Sequence, residues 1–308
     1  MKLSIITTLY KSAHFVENFL NKAIKAGEDF GGEFEIIIVD DGSPDHSLQL
    51  AKAYANTDHR IVVIELARNF GHHQAFLCGM HYASGELCFL IDSDLEVDPE
   101  VLHKFHQTME SSNADVVYGV QAVRKGSAKT RLLGGIFWRI FSAFSEVDVP
   151  SDIMTERLMR RRYLEALLSM GDKNLFLGGM FYWPGFYQVP LSIIKKPRIG
   201  ASSYSLLRRL GLLVEAISSF SSAPLAIIFW MGLGISSICA LYFTYLLLRR
   251  LLFPDSLIDG FAFLALASVG SSGLVLLSLG VVGLYIHRIF KQVQNRPLFV
   301  VKEIHTKH

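Results

Sequence analysis

The 308-residue chain carries 30 Lys and Arg against 28 Asp and Glu, a formal charge of +2, so it lacks the basic excess of a protein that binds nucleic acid as a polymer. Cys78, Cys88 and Cys239 are its three cysteines; they fit neither a disulfide framework nor a metal-ligand spacing and suit a reducing compartment. In the first half, strand-like segments at 2–8, 35–40, 61–66, 87–92 and 115–119 alternate with helix-like segments near 14–27, 45–56, 72–84 and 99–110. That βα repetition predicts an α/β domain with a mostly parallel sheet covered on both faces. Ligands of such sheets gather beyond the carboxyl ends of the strands, where this chain places Thr7 and Thr8, Asp40 and Asp41, Arg68 and Asn69, and Asp92 and Asp94.

Asp40-Asp41-Gly42-Ser43 follows an apolar strand and precedes a helix beginning near Asp45. It reads either as an Asx turn or as a carboxylate pair that accepts hydrogen bonds from a nucleobase or ribose. No G-x-G-x-x-G follows the first strand, so a dinucleotide fingerprint is absent. In Asp92-Ser93-Asp94-Leu95-Glu96 the acids alternate as a strand ends, which suits a divalent cation on two phosphates, with Glu96 in support. Asp98 before Pro99 is the better helix cap, leaving the earlier acids without that task. Phosphatases and response regulators also place acids at such a strand end, so this motif alone does not select the reaction. His72, His73 and His103 show no zinc spacing and read as helix-face or capping residues.

The segment 126–145 bears a broad apolar face with basic residues, as an interfacial helix or an ordinary packing helix would. At a membrane surface, Arg124, Lys125, Ser127, Lys129 and Arg131 would be placed to meet an acceptor phosphate. The apolar runs 224–248 and 261–286 contain no charged side chain, and each is long enough to cross a bilayer as a helix. Basic residues precede the first and follow the second, so a two-span hairpin keeps both flanks cytoplasmic, with Arg249 and Arg250 outward beside Asp255 and Asp259. The expected organisation is a cytoplasmic domain over 1–222 including interfacial helices, a transmembrane hairpin over 223–288 and a cytoplasmic tail over 289–308.

The ordered landmarks 5-IITTLYKS-12, 38-IVDDGSPD-45, 67-ARNFGHHQAF-76, 84-SGELCFLIDSDLEVDPE-100, 157-RLMRR-161, 198-RIGASSYSLLRRL-210 and 285-YIHRIFKQVQNRPLFVV-301 span nearly the whole chain. Together they resemble family-2 glycosyltransferases with the GT-A fold, and within them the polyisoprenyl-phosphate glycosyltransferases, including those that serve bacterial undecaprenyl phosphate. The resemblance implies a GT-A nucleotide-sugar-binding domain and an inverting transfer from a nucleotide-diphosphate sugar, UDP-linked among the options, to polyprenyl phosphate. The product would be a lipid-linked monophosphate sugar for modifying a cell-envelope glycan.

Carried over residue by residue, the resemblance puts Thr7, Thr8, Leu9 and Tyr10 around the nucleotide and Asp40 or Asp41 on base or ribose. It puts Arg68, Asn69 and Gly71 in a donor-side loop and Asp92 near ribose or sugar. Asp94 becomes the principal ligand of Mg²⁺ or Mn²⁺, with Glu96 assisting. Arg198, Ser202 and Ser203, with Gly200 and Tyr204, match an acceptor loop in which Arg198 neutralises the lipid phosphate, so that Asp92, Asp94 and Arg198 are the catalytic candidates. Lys11-Ser12 stands where many relatives carry Asn-Glu, and Asp-Ser-Asp-Leu-Glu-Val-Asp-Pro where many carry Asp-x-Asp-Leu-Gln-Asp-Pro. Membrane lipids as partners, a bacterial inner-membrane location with both termini cytoplasmic, and a homo-oligomer, tetrameric by family analogy, follow from the same resemblance. The competing readings are a processive polysaccharide synthase and a membrane scaffold that binds nucleotide sugar without turnover.

Overall fold

The computed structural model describes residues 2–121, 150, 153–173, 177–196, 223–252 and 261–307. Its first half follows the expected alternation: β1 Leu3–Leu9, α1 Val16–Phe30, β2 Phe34–Asp40, α2 Ser47–Thr57, β3 Ile61–Leu66, α3 His72–Tyr82 and β4 Leu87–Leu90. A short 3₁₀ turn, Pro99–Val101, leads into α4 Leu102–Ser112, with Asp98 as its cap accepting from the Glu100 amide at 3.4 Å. Then come β5 Val116–Gln121, β6 Ile153–Arg160, a helix Arg161–Ser169, a single turn Leu177–Met180, β7 Gln188–Ile193, two long helices and β8 Val301–His305.

All eight strands form one sheet in the order β7-β5-β6-β4-β1-β2-β3-β8. β1 to β4 pair in parallel, as do β5 and β7, but β6 runs antiparallel to β4 and β5, and β8 antiparallel to β3. β5 and β7 therefore run with β1 to β4, and the sheet is mostly parallel as expected, with β6 and β8 reversed. β6, β7 and β8 lie outside the expected strands because they carry too little apolar alternation to declare themselves.

Two apolar layers sandwich the sheet, as a parallel core requires. One packs Phe19, Leu20 and Phe105 against Ile5, Ile36 and Phe89; the other packs Phe76, Tyr163 and Leu164 against Ile6, Ile37 and Leu90. α1 reaches the first layer because Val16, Phe19, Leu20, Ala23 and Ala26 share one helical face. Cys78 and Cys88 are buried, and that burial pushes both thiols up to about 12, so neither is reactive.

The two long helices, Ala223–Leu252 and Phe261–Gln294, expose large apolar side chains, including Phe229, Trp230, Leu276 and Val293. Among the described residues one stretch, Ser271–Gln294, is long and apolar enough to cross a membrane, and Pro224–Ile235 is a shorter apolar stretch. The second helix outruns the expected boundary at 288 and docks on the α/β domain, where Gln292 Oε1 accepts from the Lys173 amide at 2.9 Å. From there the chain returns to the sheet. Glu65 on β3 is 6% exposed and paired with Lys52 at 2.8 Å, with Lys302 of β8 and with His305 at 3.5 Å. Burial would raise this carboxyl, but the two lysines hold it down at about 2.

α3 lies close on the sheet because Gly79 has no side chain: a Cβ there would sit 2.4 Å from Ile6 Cγ2 and 3.3 Å from Val39 Cγ2. Gly79→Ala gains about 0.5–1 kcal/mol of helix propensity, but overpacking of this kind costs about 1–3 kcal/mol. We expect net destabilisation in denaturant titrations of the solubilised protein; unchanged or raised stability would show that α3 can shift without cost.

Candidate functional site

The carboxyl ends of β1, β2 and β4 and the segment after β7 enclose a cavity of about 560 Å³. Thr8, Leu9, Tyr10, Asp41, Asn69, Gly71, Asp92, Asp94 and Glu96 line it, together with His72 and Lys195. Among the other expected nucleotide contacts, Thr7 and Asp40 are buried beneath this edge and Arg68 lies beside it. Thr7 shares the β1 face of Leu3, Ile5 and Leu9, and its Oγ1 has no hydrogen-bond partner. Arg68 donates to the Asn69 carbonyl at 2.9 Å and stacks over the Phe70 ring at 4.0 Å. Arg124, Ser127, Lys129, Arg131, Arg198, Ser202 and Ser203 fall outside the described residues.

The two carboxylates after β2 have different tasks. Asp41 accepts from the amides of Phe70 at 2.7 Å and Gly71 at 3.0 Å, one per oxygen, and so braces the loop that leads into α3. Asp40 accepts from the Ser43 amide at 3.1 Å through Oδ2, while its buried Oδ1 has no partner. Burial raises both carboxyls, and the backbone hydrogen bonds only partly offset it. Gly42, at φ +64°, brings the turn against that same loop, since a Cβ there would lie 2.6 Å from the Asn69 nitrogen. Asp45 supplies the expected turn chemistry by accepting from the amide of Ser47 at 3.2 Å and its hydroxyl at 2.6 Å.

β4 stops at Leu90, two residues before the expected end, because side-chain bonds replace the ladder. Ser93 Oγ donates to the Thr8 carbonyl at 2.9 Å and Asp94 Oδ1 accepts from the Glu96 amide at 3.0 Å, with Leu95 between them at φ +58°. This bend turns Asp92, Asp94 and Glu96 into one cavity. His72, at the start of α3, has Nδ1 3.1 Å from Thr8 Oγ1 and Nε2 3.3 Å from Asp92 Oδ1. Burial alone would lower His72, but the Asp92 hydrogen bond and charge, then Asp41 and Asp94, raise it above its ordinary value. Burial likewise pushes Asp92 up, and His72 and Lys195 bring it below the usual carboxylate range. Asp94 goes the other way: burial and the charges of Asp92 and Glu96 raise it.

A divalent cation fits this donor set. Asp94 is crowded by like charge and keeps one carboxylate oxygen outside its turn bond, and Glu96, 3.2 Å from Lys195, completes an oxygen-rich cluster. Away from the cavity, Glu65, Glu303 and His305 bring their ligand atoms within 4.8 Å of one another at the β3–β8 edge, the one such group among the described residues. Lys52 and Lys302 already neutralise Glu65 there, so the cavity acids are the better match to a diphosphate-bound ion. His72, Lys195 and the nearby Glu156 are not among the site residues expected from sequence. The signal for Glu156 and Arg157 was a pair of charges inside the otherwise apolar run 153-IMTERLM-159.

Residues 4–168 match Glycosyl transferase family 2. A Mycobacterium tuberculosis protein classed among glycosyltransferases is 36% identical over 305 residues, covering 99% of this chain and 89% of that protein. The SfII prophage-derived bactoprenol glucosyl transferase of Shigella flexneri is 28% identical over 311 residues, covering 99% of each. A solved mannosyltransferase from Pyrobaculum calidifontis, in complex with GDP-Man and Mn²⁺, superposes with TM-score 0.48 at 15% identity over 95% of this chain and 86% of its own.

Asp41→Asn leaves one acceptor oxygen and turns an NH₂ toward the second backbone N–H. A charge-assisted bond of this kind is worth about 1.5–3 kcal/mol, so nucleotide affinity should fall roughly tenfold or more as the 68–71 loop loosens. Calorimetric titration with nucleotide diphosphates checks this; unchanged affinity would show that the brace does not shape the pocket.

Proposed function

The chain belongs to glycosyl transferase family 2 and is a metal-dependent glycosyltransferase, and on that premise we propose that it moves a sugar from a nucleotide diphosphate onto polyprenyl phosphate, undecaprenyl phosphate in a bacterial inner membrane. The observation that carries this reading is the cavity in which Asp92, Asp94 and Glu96 face Lys195 and His72, on a chain whose apolar helix Ser271–Gln294 docks against the same domain. The bactoprenol specificity of the Shigella relative supports the lipid acceptor.

In the mechanism we infer, the Thr8–Tyr10 turn receives the nucleoside above buried Asp40, and Asp41 holds the 68–71 loop against it. Mg²⁺ or Mn²⁺, held by Asp94 with Glu96 or Asp92, would neutralise the diphosphate of the donor. An oxygen of the acceptor phosphate attacks the anomeric carbon, the bond to the nucleotide diphosphate breaks, and configuration inverts. A phosphate monoester is already anionic near neutral pH, so the attack needs no strong base. His72 agrees with this: its two ring nitrogens face Thr8 and Asp92, which makes it a brace for Asp92 rather than a proton acceptor. Alignment of the attacking oxygen and stabilisation of the leaving charge supply the rate. Arg198, Ser202 and Ser203, with Arg124, Ser127, Lys129 and Arg131, are proposed to meet the lipid phosphate.

The sheet also bears on topology. β8 follows the membrane-length helix and pairs with β3 of the domain that precedes it, so both ends of the chain belong on one side of the bilayer. An even number of crossings satisfies this, which supports Ala223–Leu252 as the second span and both termini as cytoplasmic. Terminal tags in sealed inverted vesicles should both be open to protease; opposite accessibility would sink the hairpin.

Asp94→Asn should insert and fold normally yet lose transfer by about a hundredfold or more. The assay supplies membranes with candidate nucleotide sugars and undecaprenyl phosphate and follows lipid-linked sugar. Wild-type turnover by a well-inserted variant would remove Asp94 from the metal site, and no lipid product from the wild type with any donor would overturn the acceptor.

A further inference from the structure

Glu156 is the most deeply buried acid of the described chain, at 0% exposure, and neither of its carboxylate oxygens has a hydrogen-bond partner. It lies on β6, which pairs with β4 through Leu90↔Arg157, and so sits one step beneath the Ile91–Asp92 turn that begins the acidic loop. Burying such a group without compensation is costly, so it takes up a proton or keeps its charge through a nearby cation. Its neighbour Arg157 is not that cation: strand alternation sends that side chain to the opposite layer, where its guanidinium stacks 3.2 Å over the Phe181 ring.

The cation on the Glu156 side is Lys195. It leaves the end of β7, reaches the cavity wall and lies 3.2 Å from Glu96. Burial would pull this ammonium down, but Glu156, ahead of Glu96 and Asp92, raises it. Burial in turn pushes Glu156 up to about 7, with Asp92 adding to the rise and Lys195 opposing it. The next residue fastens the same strap: the Lys196 amide donates to the Glu96 carbonyl at 2.8 Å, and its ammonium lies 3.1 Å from Asp98. Lys195 therefore has a carboxylate partner at the cavity, Glu96, while the charge of buried Glu156 acts on it from beneath. A cation bound by Glu96 would draw that carboxylate away, and the charge of Glu156 would still attract the ammonium.

We propose that Lys195 contacts a phosphate oxygen of the reacting substrates and that buried Glu156 is its positioning residue. This rests on the phosphate-transfer reading of the cavity, and it adds a contact supplied by the strap between β7 and the segment that begins at residue 197. An ammonium is suited to a phosphate as a point charge with three donors, without the fixed fork of a guanidinium. The shared chemistry is a phosphate oxyanion; its source is either the donor diphosphate or the acceptor monoester.

The test measures binding of two probes to the full-length protein in detergent: inorganic pyrophosphate with Mn²⁺, and a short-chain prenyl monophosphate. Lys195→Met should weaken one probe about tenfold, and Lys195→Arg should keep most of that affinity; the probe affected identifies the source. Glu156→Gln should weaken the same probe in the Lys195 protein and add nothing in a Lys195→Met background, since a positioning residue acts through its partner. Thermal unfolding of each variant accompanies the titrations, so that a general packing defect is seen separately. Equal binding by wild type and Lys195→Met removes the phosphate contact. Equal loss from Glu156→Gln in both backgrounds removes the positioning role. Wild-type protein that binds neither probe would overturn the phosphate reading of the cavity along with this one, whereas transfer to polyprenyl phosphate with Lys195→Met fully active would overturn this one alone.

Discussion

Like charges brought together are the constraint around which this site is built. Asp92, Asp94, Glu96 and Glu156 meet near the ends of β4 and β6, and His72 and Lys195 are the cations that answer them. Two unit charges 4 Å apart repel by about 4 kcal/mol at an effective dielectric constant near 20, enough to unfold a loop that nothing else restrained. The restraint comes from backbone and hydroxyl bonds. Ser93 ties the loop to β1, Asp94 bonds within its own turn, and Lys22 and Lys196 hold Asp98 at its far end. The negative charge that results is concentrated on one wall of the cavity.

The carboxylates earlier in the chain obey the same economy of bonds with a different result. Asp41 spends both oxygens on the backbone of the 68–71 loop, and Gly42 lets that loop approach without collision. A pair of acids that looks equivalent in sequence is thus divided into one that shapes the pocket and one, Asp40, that retains an oxygen for something else. The division follows from strand alternation and from where the next strand's loop happens to fall.

Much of this was visible in the sequence where the signal was local. β1 to β4 are apolar runs bounded by turn chemistry, so their carboxyl ends and the residues there could be placed in advance. The later strands were not visible because their signals are weak or distant. β6 carries Glu156 and Arg157 where a core strand should be apolar; β7 is an edge strand interrupted by Pro190; β8, Val-Lys-Glu-Ile-His, is mostly polar and becomes a strand only through a partner far away in sequence. The same distance hid Lys195, which enters the site from beyond β7, and the role of His72, whose meaning depends on Thr8 and Asp92 being brought to its two nitrogens.

β8 gives the protein an order of assembly. Lys302 and its partner Glu65 are 237 residues apart, with both long helices between them. At about 5–20 residues per second, the ribosome needs on the order of ten to fifty seconds to traverse that interval, and for all of it β3 remains an open edge. Such an edge invites pairing with the wrong strand, and long-range closure is the slow step of sheet formation. The last strand can dock only after both apolar helices have been synthesised. Completion of the sheet therefore waits on the last residues of the chain, and a chain cut short of β8 is left with an open edge on β3.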